Sequence, residues 1–322
     1  MIEQQVRLPP GSRIESFIVG KVLGEGGFGA VYEVTSPDGR EKYALKVEAS
    51  NAVPQVLCME VQLLDTLDKR GFLRHFCRIF GKGRESHPQG TFNYVVMTYV
   101  GKSLQDLRKM VACQYFSVST AIGAGIQSLE ALEDLHSIGY LHRDIKPGNI
   151  TTGKVETGEL GKIYMLDFGM ARKYVKEDFP PFTIRHPRQR AGFRGTVRYA
   201  PISCHLEREQ SRKDDCESLL YTLLELTTGR LPWRDISDMK QVGDWKQAAR
   251  NDPAKRAQMF QNCPPEFAEV MDHFDSLRYY DKPDYAKCYG LLRKSLITVK
   301  LPERPYDWED PRWPNVQIKR FG

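Results

Sequence analysis

The 322-residue sequence predicts an α+β protein built as two lobes, a small β-rich lobe at the N-terminus and a larger, mainly helical one after it. Three observations predict this. Residues 17–48 alternate glycine turns with β-branched and aromatic residues, the pattern of short paired strands. From about residue 102 the chain changes to apolar residues at helical spacing. Residues 217–226 are apolar nearly all round, as suits a helix buried at the centre of a large lobe.

In chain order, residues 1–16 read as an N-terminal extension. Residues 17–20 and 31–34 read as strands around a glycine-rich turn, and residues 43–47 as a third strand after the turn Pro37-Asp38-Gly39. A helix follows, with Leu57, Val61 and Leu64 at i, i+4 and i+7, and a strand at 94–97 closes the lobe. The expected division is an N-lobe over 17–97, a hinge over 98–101 and a C-lobe over 102–300. In the C-lobe Ser103, and Ser117 or Ser119, suit helix N-caps, and Ile122, Ile126 and Leu129 mark one face of a long helix ended by His136-Ser137-Ile138-Gly139. Residues 301–322, rich in Pro, Trp and Arg, read as an extended tail packing on the lobe or trailing from it. No internal repeat is present.

Hydrophobic residues at 41% and charged residues at 27% fit a globular protein and exclude a disordered one. The start, Met-Ile-Glu-Gln-Gln-Val-Arg, has no apolar core of a secretory signal, and no run approaches the roughly 20 apolar residues that cross a bilayer. The expectation is a soluble chain of the cytoplasm, with the nucleus also open to it, and no membrane partner. Seven cysteines are widely spaced, with no Cys-x-x-Cys and no zinc-like Cys/His spacing, so free thiols in a reducing compartment are expected. A net charge of +6 does not by itself argue for nucleic acid.

The chemistry is concentrated in His-Arg-Asp-Ile-Lys-Pro-Gly-Asn at 142–149 and Leu-Asp-Phe-Gly-Met-Ala-Arg at 166–172. Asp144 can orient and deprotonate a hydroxyl, Lys146 can meet charge building on a transferred phosphoryl group, and Asn149 with Asp167 can hold metal ions. Upstream, Gly24-Glu25-Gly26-Gly27-Phe28-Gly29-Ala30-Val31 contains Gly-x-Gly-x-x-Gly, where absent side chains let backbone N–H groups approach phosphates. A dinucleotide-binding turn or a plain glycine hairpin would produce the same motif. Its place between two strands, and not at a strand-to-helix junction, argues against the dinucleotide reading.

Taken in this order, the motifs resemble the protein-kinase catalytic core, and the resemblance implies the bilobal kinase fold, ATP and Mg²⁺ as cofactors, and protein substrates. It assigns Gly24, Gly26, Gly27, Phe28, Gly29, Val31, Ala44, Met97, Thr98, Tyr99 and Val100 to the nucleotide, with Met97 controlling access behind the adenine. Lys46 would contact the α- and β-phosphates and pair with Glu60, although a lone strand lysine or helix glutamate is more often a solvated residue. Asp144 is the expected acceptor of the hydroxyl proton and His142 a structural residue. Lys146 is similar to the serine/threonine class, and Thr196 in Phe-Arg-Gly-Thr-Val-Arg-Tyr-Ala would bridge Asp144 and Lys146 in the segment that receives the substrate backbone. Asn149 and Asp167 would hold the metal.

The usual Ala-Pro-Glu ending is absent, since the chain reads Ala200-Pro201-Ile202. That departure, with Arg-Lys-Asp-Asp-Cys-Glu-Ser at 212–218, resembles the casein kinase 1 group. Leu-Pro-Trp-Arg at 231–234, Gln241-Val242-Gly243 and Tyr306-Asp307-Trp308-Glu309 are most similar to the tau-tubulin kinases within it. Arg185, Arg188, Arg190, Arg194 and Arg198 form a basic segment, read either as a solvated face, as a nucleic-acid surface without supporting aromatics, or as a site for acidic or phosphorylated substrate. The last is favoured, with Arg194 and Arg198 as anion ligands; the second ligand expected from casein kinase 1 relatives is here Ser237, with Lys240 a substitute. No activation-loop phosphate is expected to be needed, because substrate or bulk anion can neutralise these arginines. The chain is expected to act as a monomer. A pseudokinase scaffold would show loss of Lys46, Asp144 or Asp167, and a small-molecule kinase would lack Gly195-Thr196; neither loss is present.

Overall fold

The computed structural model describes residues 6–26, 29–87 and 90–318, and the chain divides into two compact units. One comprises residues 1–101 with 166–169, the other 102–165 with 170–322. An α+β chain with a β-rich first unit and a helical second is what the residue patterns predict.

The first unit is a six-stranded antiparallel sheet in the order β1-β2-β3-β4-β6-β5, with one long helix. Its strands are β1 (Arg13–Ile14), β2 (Phe17–Gly26), β3 (Gly29–Thr35), β4 (Lys42–Ala49), β5 (Ile79–His87) and β6 (Gly90–Thr98); α1 (Val56–Lys69) lies between β4 and β5. Val19, Tyr32, Val34, Leu45, Val47, Phe92, Tyr94 and Val96 make one apolar core. Val6 and Leu8, from the stretch read as an extension, belong to that core too, and the Tyr32 hydroxyl ties them down by accepting from Leu8 N and donating to Val6 O at 3.1 and 3.3 Å. Strand β5 is an edge strand of glycines and charges with mostly exposed side chains, so it carries little hydrophobic periodicity.

The second unit is built on α3 (Val118–Ser137), capped by Ser117, and α5 (Arg212–Thr228), which begins with a Ser211/Asp214 capping box. Around them lie α2 (Leu104–Met110), capped by Ser103, then α4 (Ile202–His205), α6 (Met239–Asn251), α7 (Pro253–Met259), α8 (Glu266–Ser276) and α9 (Tyr285–Val299). Short strand pairs β7 (Tyr140–Leu141) with β10 (Arg172–Lys173), and β8 (Ile150–Thr152) with β9 (Ile163–Met165), frame the loops that carry the chemistry.

Every residue of α5 from Asp214 to Thr227 is buried, including Glu217 and Glu225. Buried carboxylates need partners, and Arg250 meets Glu217 at 2.9 Å while Arg108 and Arg198 each reach Glu225 at 3.5 Å. The C-terminal segment packs on this unit. Asp307 accepts from Ser117 N and Oγ at 2.7 and 2.6 Å at the start of α3, Tyr306 is buried beside Gln127 (2.7 Å), and the Trp308 indole donates to Leu160 O (3.1 Å). All seven cysteines are free, and five of them are buried. Among the described residues no helix is long and apolar enough to cross a membrane.

Candidate active site

In the first unit Lys46 and Glu48 stand two residues apart on β4, so both side chains leave the same face of the strand. That face meets α1. Lys46 Nζ is ion-paired with the buried Glu60, and Glu48 Oε1 accepts from Val56 N (2.8 Å) and Leu57 N (3.1 Å). Helix α1 has no side-chain cap of its own at Gln55, so the neighbouring strand puts a carboxylate at its positive end. Burial works to lower the Lys46 ammonium, but Glu60, with Asp167 and Glu48, more than reverses it and holds the group above its ordinary value.

Strand register sets Val31 opposite Lys46 and Ala44 opposite the buried Met97. Gly24 and Gly26 end β2 opposite Val31 and Gly29, while Gly27 and Phe28 lie outside the described residues. Thr98 N donates to Arg78 O (3.0 Å), the Tyr99 hydroxyl donates to Glu33 Oε2 (2.8 Å), and Val100 follows partly buried. Asp167 has φ +64°, a left-handed conformation that a non-glycine residue adopts at a cost. Its exposed carboxylate accepts from Gly169 N at 3.3 Å, while Phe168 beside it is buried with its ring 5.9 Å from that of Phe76.

In the second unit the Asp144 carboxylate is held from two sides. Lys146 Nζ donates to Oδ2 at 2.6 Å, Thr196 Oγ1 donates to Oδ1 at 2.7 Å, and Lys146 Nζ also reaches Thr196 Oγ1 at 3.1 Å. Asn149 Nδ2 donates to Asp144 O (2.9 Å) and Oδ2 (3.4 Å), which leaves the amide oxygen as a hard donor suited to Mg²⁺. Gly195 makes this approach possible. Its φ is +108°, and a Cβ there would fall 2.6 Å from Arg143 O, so any side chain would push Thr196 off Asp144.

Beneath the loop sits Asp215 of α5, wholly buried, accepting from His142 N and Arg143 N at 2.8 Å each and bonded to His136 Nε2 at 2.9 Å. Burial works to raise this carboxyl, but His136, His142 and the loop N–H hold it below its ordinary value. Arg143, like Asp167, is left-handed (φ +67°), a strain of about 1–3 kcal/mol that the Asp215 bonds offset. His142 is buried and its Nδ1 accepts from Asp144 N at 3.3 Å, a supporting position.

The basic segment is largely neutralised from within. Arg188 makes a two-point pair with the buried Glu209, which Arg172 also approaches at 3.6 Å, and Arg190 pairs with Glu207. Arg185 donates from Nε to Val175 O at 2.8 Å. Arg198 shares Glu225 with Arg108 and Tyr199. Arg194 is exposed, and among the described residues no carboxylate lies within ion-pair distance of it. Ser237 is exposed, and Lys240 is paired with Asp244 at 3.0 Å.

Residues 17–284 match the family model described as the protein kinase domain. The chain belongs to the protein kinase family. It is an ATP-dependent protein serine/threonine kinase domain, and its relatives carry names of that class. A probable serine/threonine-protein kinase of Dictyostelium discoideum is 35% identical over 95% of this chain, which spans 59% of that protein's length. The serine/threonine-protein kinase spe-6 of Caenorhabditis elegans is 36% identical over 88% of this chain and 73% of its own. A Caenorhabditis elegans protein provisionally named a casein kinase I is 30% identical over 95% of this chain and 87% of its own.

Sequence reasoning missed four residues that shape this kinase site: Glu48, Glu209, Asp215 and Glu217. Glu217 anchors the chain just after Ala200-Pro201, since its Oε1 accepts from Ile202 N (2.9 Å) and Tyr221 OH (2.7 Å) and pairs with Arg250. The available signal was a cluster of acids inside an otherwise apolar helix, which has to mark paired carboxylates.

Proposed function

We propose that this kinase transfers the γ-phosphoryl group of ATP to serine or threonine hydroxyls of proteins in the manner of the casein kinase 1 group, with a preference for acidic or phosphorylated substrates. The single observation that carries the catalytic part is the Asp144–Lys146–Thr196 triangle, which presents a carboxylate oxygen and an ammonium group at one spot. In the step, the substrate hydroxyl oxygen attacks the γ-phosphorus and gives its proton to Asp144; the bond to the β,γ-bridging oxygen breaks with its electrons going to ADP. Lys146 offsets charge on the transferred group, and Lys46, fixed by Glu60, meets the α- and β-phosphates. Asn149 and Asp167 supply oxygen donors for Mg²⁺, which screens the phosphate charge when bound.

The acidic preference rests on Arg194, which is exposed with no carboxylate within ion-pair distance among the described residues, and on Arg198, which is partly exposed and held by Glu225 only at 3.5 Å, an acid it shares with Arg108. Trp233 Nε1 donates to Arg198 O at 2.8 Å, which fixes the backbone from which that guanidinium projects. The resemblance to casein kinase 1 is supported by the provisional name of one relative. Tau-tubulin-kinase character is proposed on the quoted motifs alone, as are action as a monomer and residence in the cytoplasm or nucleus. The test is phosphorylation of a degenerate serine/threonine peptide library with and without pre-placed phosphoserine. Acidic or primed peptides should dominate; equal labelling of basic and acidic peptides would remove the preference, and no labelling would remove the activity.

A further inference from the structure

Lys246 on α6 is wholly buried, and among the described residues no carboxylate lies within ion-pair distance of it. A buried amine without a counter-charge is costly unless its hydrogen bonds are met. Here they are met by backbone. Nζ donates to Ala200 O at 2.7 Å and Val197 O at 3.0 Å, lies 3.2 Å from His205 Nε2, and faces the rings of Tyr221 and Trp233 at 4.8 and 5.1 Å. Between those two carbonyls, Arg198 O is taken by the Trp233 indole. Three carbonyls within four residues therefore turn inward, onto one side chain from α6 and one from the turn between α5 and α6. The same segment begins at Thr196, whose hydroxyl is on Asp144 and whose carbonyl accepts from Tyr199 N and Ala200 N at 2.9 Å each.

A second observation points to the same arrangement. Gly243 lies one helical turn before Lys246 on the buried face of α6, and a Cβ there would come 2.9 Å from His205 Cβ and 3.0 Å from its ring. The glycine lets α6 approach α4 closely enough for the lysine to reach the carbonyls.

We propose that Lys246 is a positioning residue for the protein substrate: by binding the Val197 and Ala200 carbonyls its Nζ sets segment 196–200, holding Thr196 on Asp144 and leaving the outer side of the segment to the incoming peptide. The proposal rests on the reading that segment 196–200 receives the substrate backbone. Burial, only partly opposed by Glu217, pushes the amine down to about 7, which agrees with a group held chiefly for its hydrogen bonds.

The test is steady-state kinetics of Lys246→Met with an acidic serine peptide and with ATP varied in turn. Methionine keeps the apolar stem and removes the donors. Peptide KM should rise by about tenfold or more, the cost of leaving buried carbonyls unmet, while ATP KM moves by less than about twofold. If Lys246→Met does not fold, the split is read on Trp233→Phe, which removes the donor to Arg198 O while keeping an aromatic ring at the site, and should raise peptide KM several-fold. Peptide KM unchanged in a folded variant, or peptide and ATP KM rising together, would overturn the proposal. Wild-type protein that turns over ATP yet labels no peptide would instead overturn the docking reading beneath it.

Discussion

Asp144 is engaged by Lys146 and Thr196 at once, so its carboxylate is fixed in orientation, as the proposed role of proton acceptor requires. Asp144→Asn keeps the shape and the Thr196 contact but cannot take a proton. Turnover on peptide should fall on the order of 10²-fold or more with an unchanged melting temperature; near wild-type activity in the folded variant would sink the assignment. A second residue ties acidity to stability. His205 lies beside Lys246, its Nε2 3.2 Å from Nζ, and burial, then the nearby Lys246, push its imidazole down to about 4. The unfolded chain takes up that proton near the ordinary value of 6.5, so between pH 6.5 and 4 the unfolded state binds more protons than the folded one. Stability should therefore fall as pH drops through that window, by at most about 3 kcal/mol. His205→Asn should flatten the fall in melting temperature over the same window, and an unchanged slope would place the acid sensitivity in other groups.

Elements in this protein are often completed by residues far from them in sequence, and this decided what could be read in advance. Helix α1 was legible from Leu57, Val61 and Leu64, and its Glu60 from the order of motifs, because both signals are local or motif-borne. Its cap was not, since Glu48 sits on a strand, outside any helical period. Val6 and Leu8 were read as an extension because isolated apolar residues beside Pro9 and Pro10 show no period, yet the Tyr32 hydroxyl fixes them in the sheet core. The catalytic loop shows the same limit: Asp144, Lys146 and Asn149 announce themselves, while Asp215, which holds two of the loop's N–H groups, comes from a helix some seventy residues later. The α1 arrangement gives a direct expectation. Glu48→Ala should cost about 1–2 kcal/mol through the lost cap and reduce kcat/KM for ATP several-fold as Glu60 loses its fixed place. Calorimetry and ATP-varied kinetics check both numbers, and a stability loss with unchanged ATP kinetics would uncouple the cap from the Lys46 pair.

For the whole molecule the question is how a chain with 47 basic and 41 acidic side chains keeps a dense arginine segment in order. The expected answer was neutralisation by substrate or bulk anion. The structure supplies a different one for part of the segment, because Glu209 is buried among Arg172 and Arg188 and lies close enough to Arg143 to act on its charge. Burial, with Arg172 and Arg188 nearby, pushes Arg143 down to about 10, and Asp215, then Glu209, oppose that shift. Arg143 is the residue between His142 and Asp144, so the balance of charge at Glu209 reaches the catalytic loop through one side chain. If this buried acid is the counter-charge the arginines need, activity does not require a phosphate on Thr183, the one serine or threonine hydroxyl between Asp-Phe-Gly and Thr196. Phosphatase-treated protein should then keep its full peptide activity. Glu209→Gln leaves Arg172 and Arg188 without their acid; it should lower kcat by about tenfold, and millimolar sulfate should restore part of the loss while leaving the wild type unaffected. Activity that vanishes from the wild type on phosphatase treatment and returns with a phosphate on Thr183 would show that Glu209 is not a sufficient counter-charge.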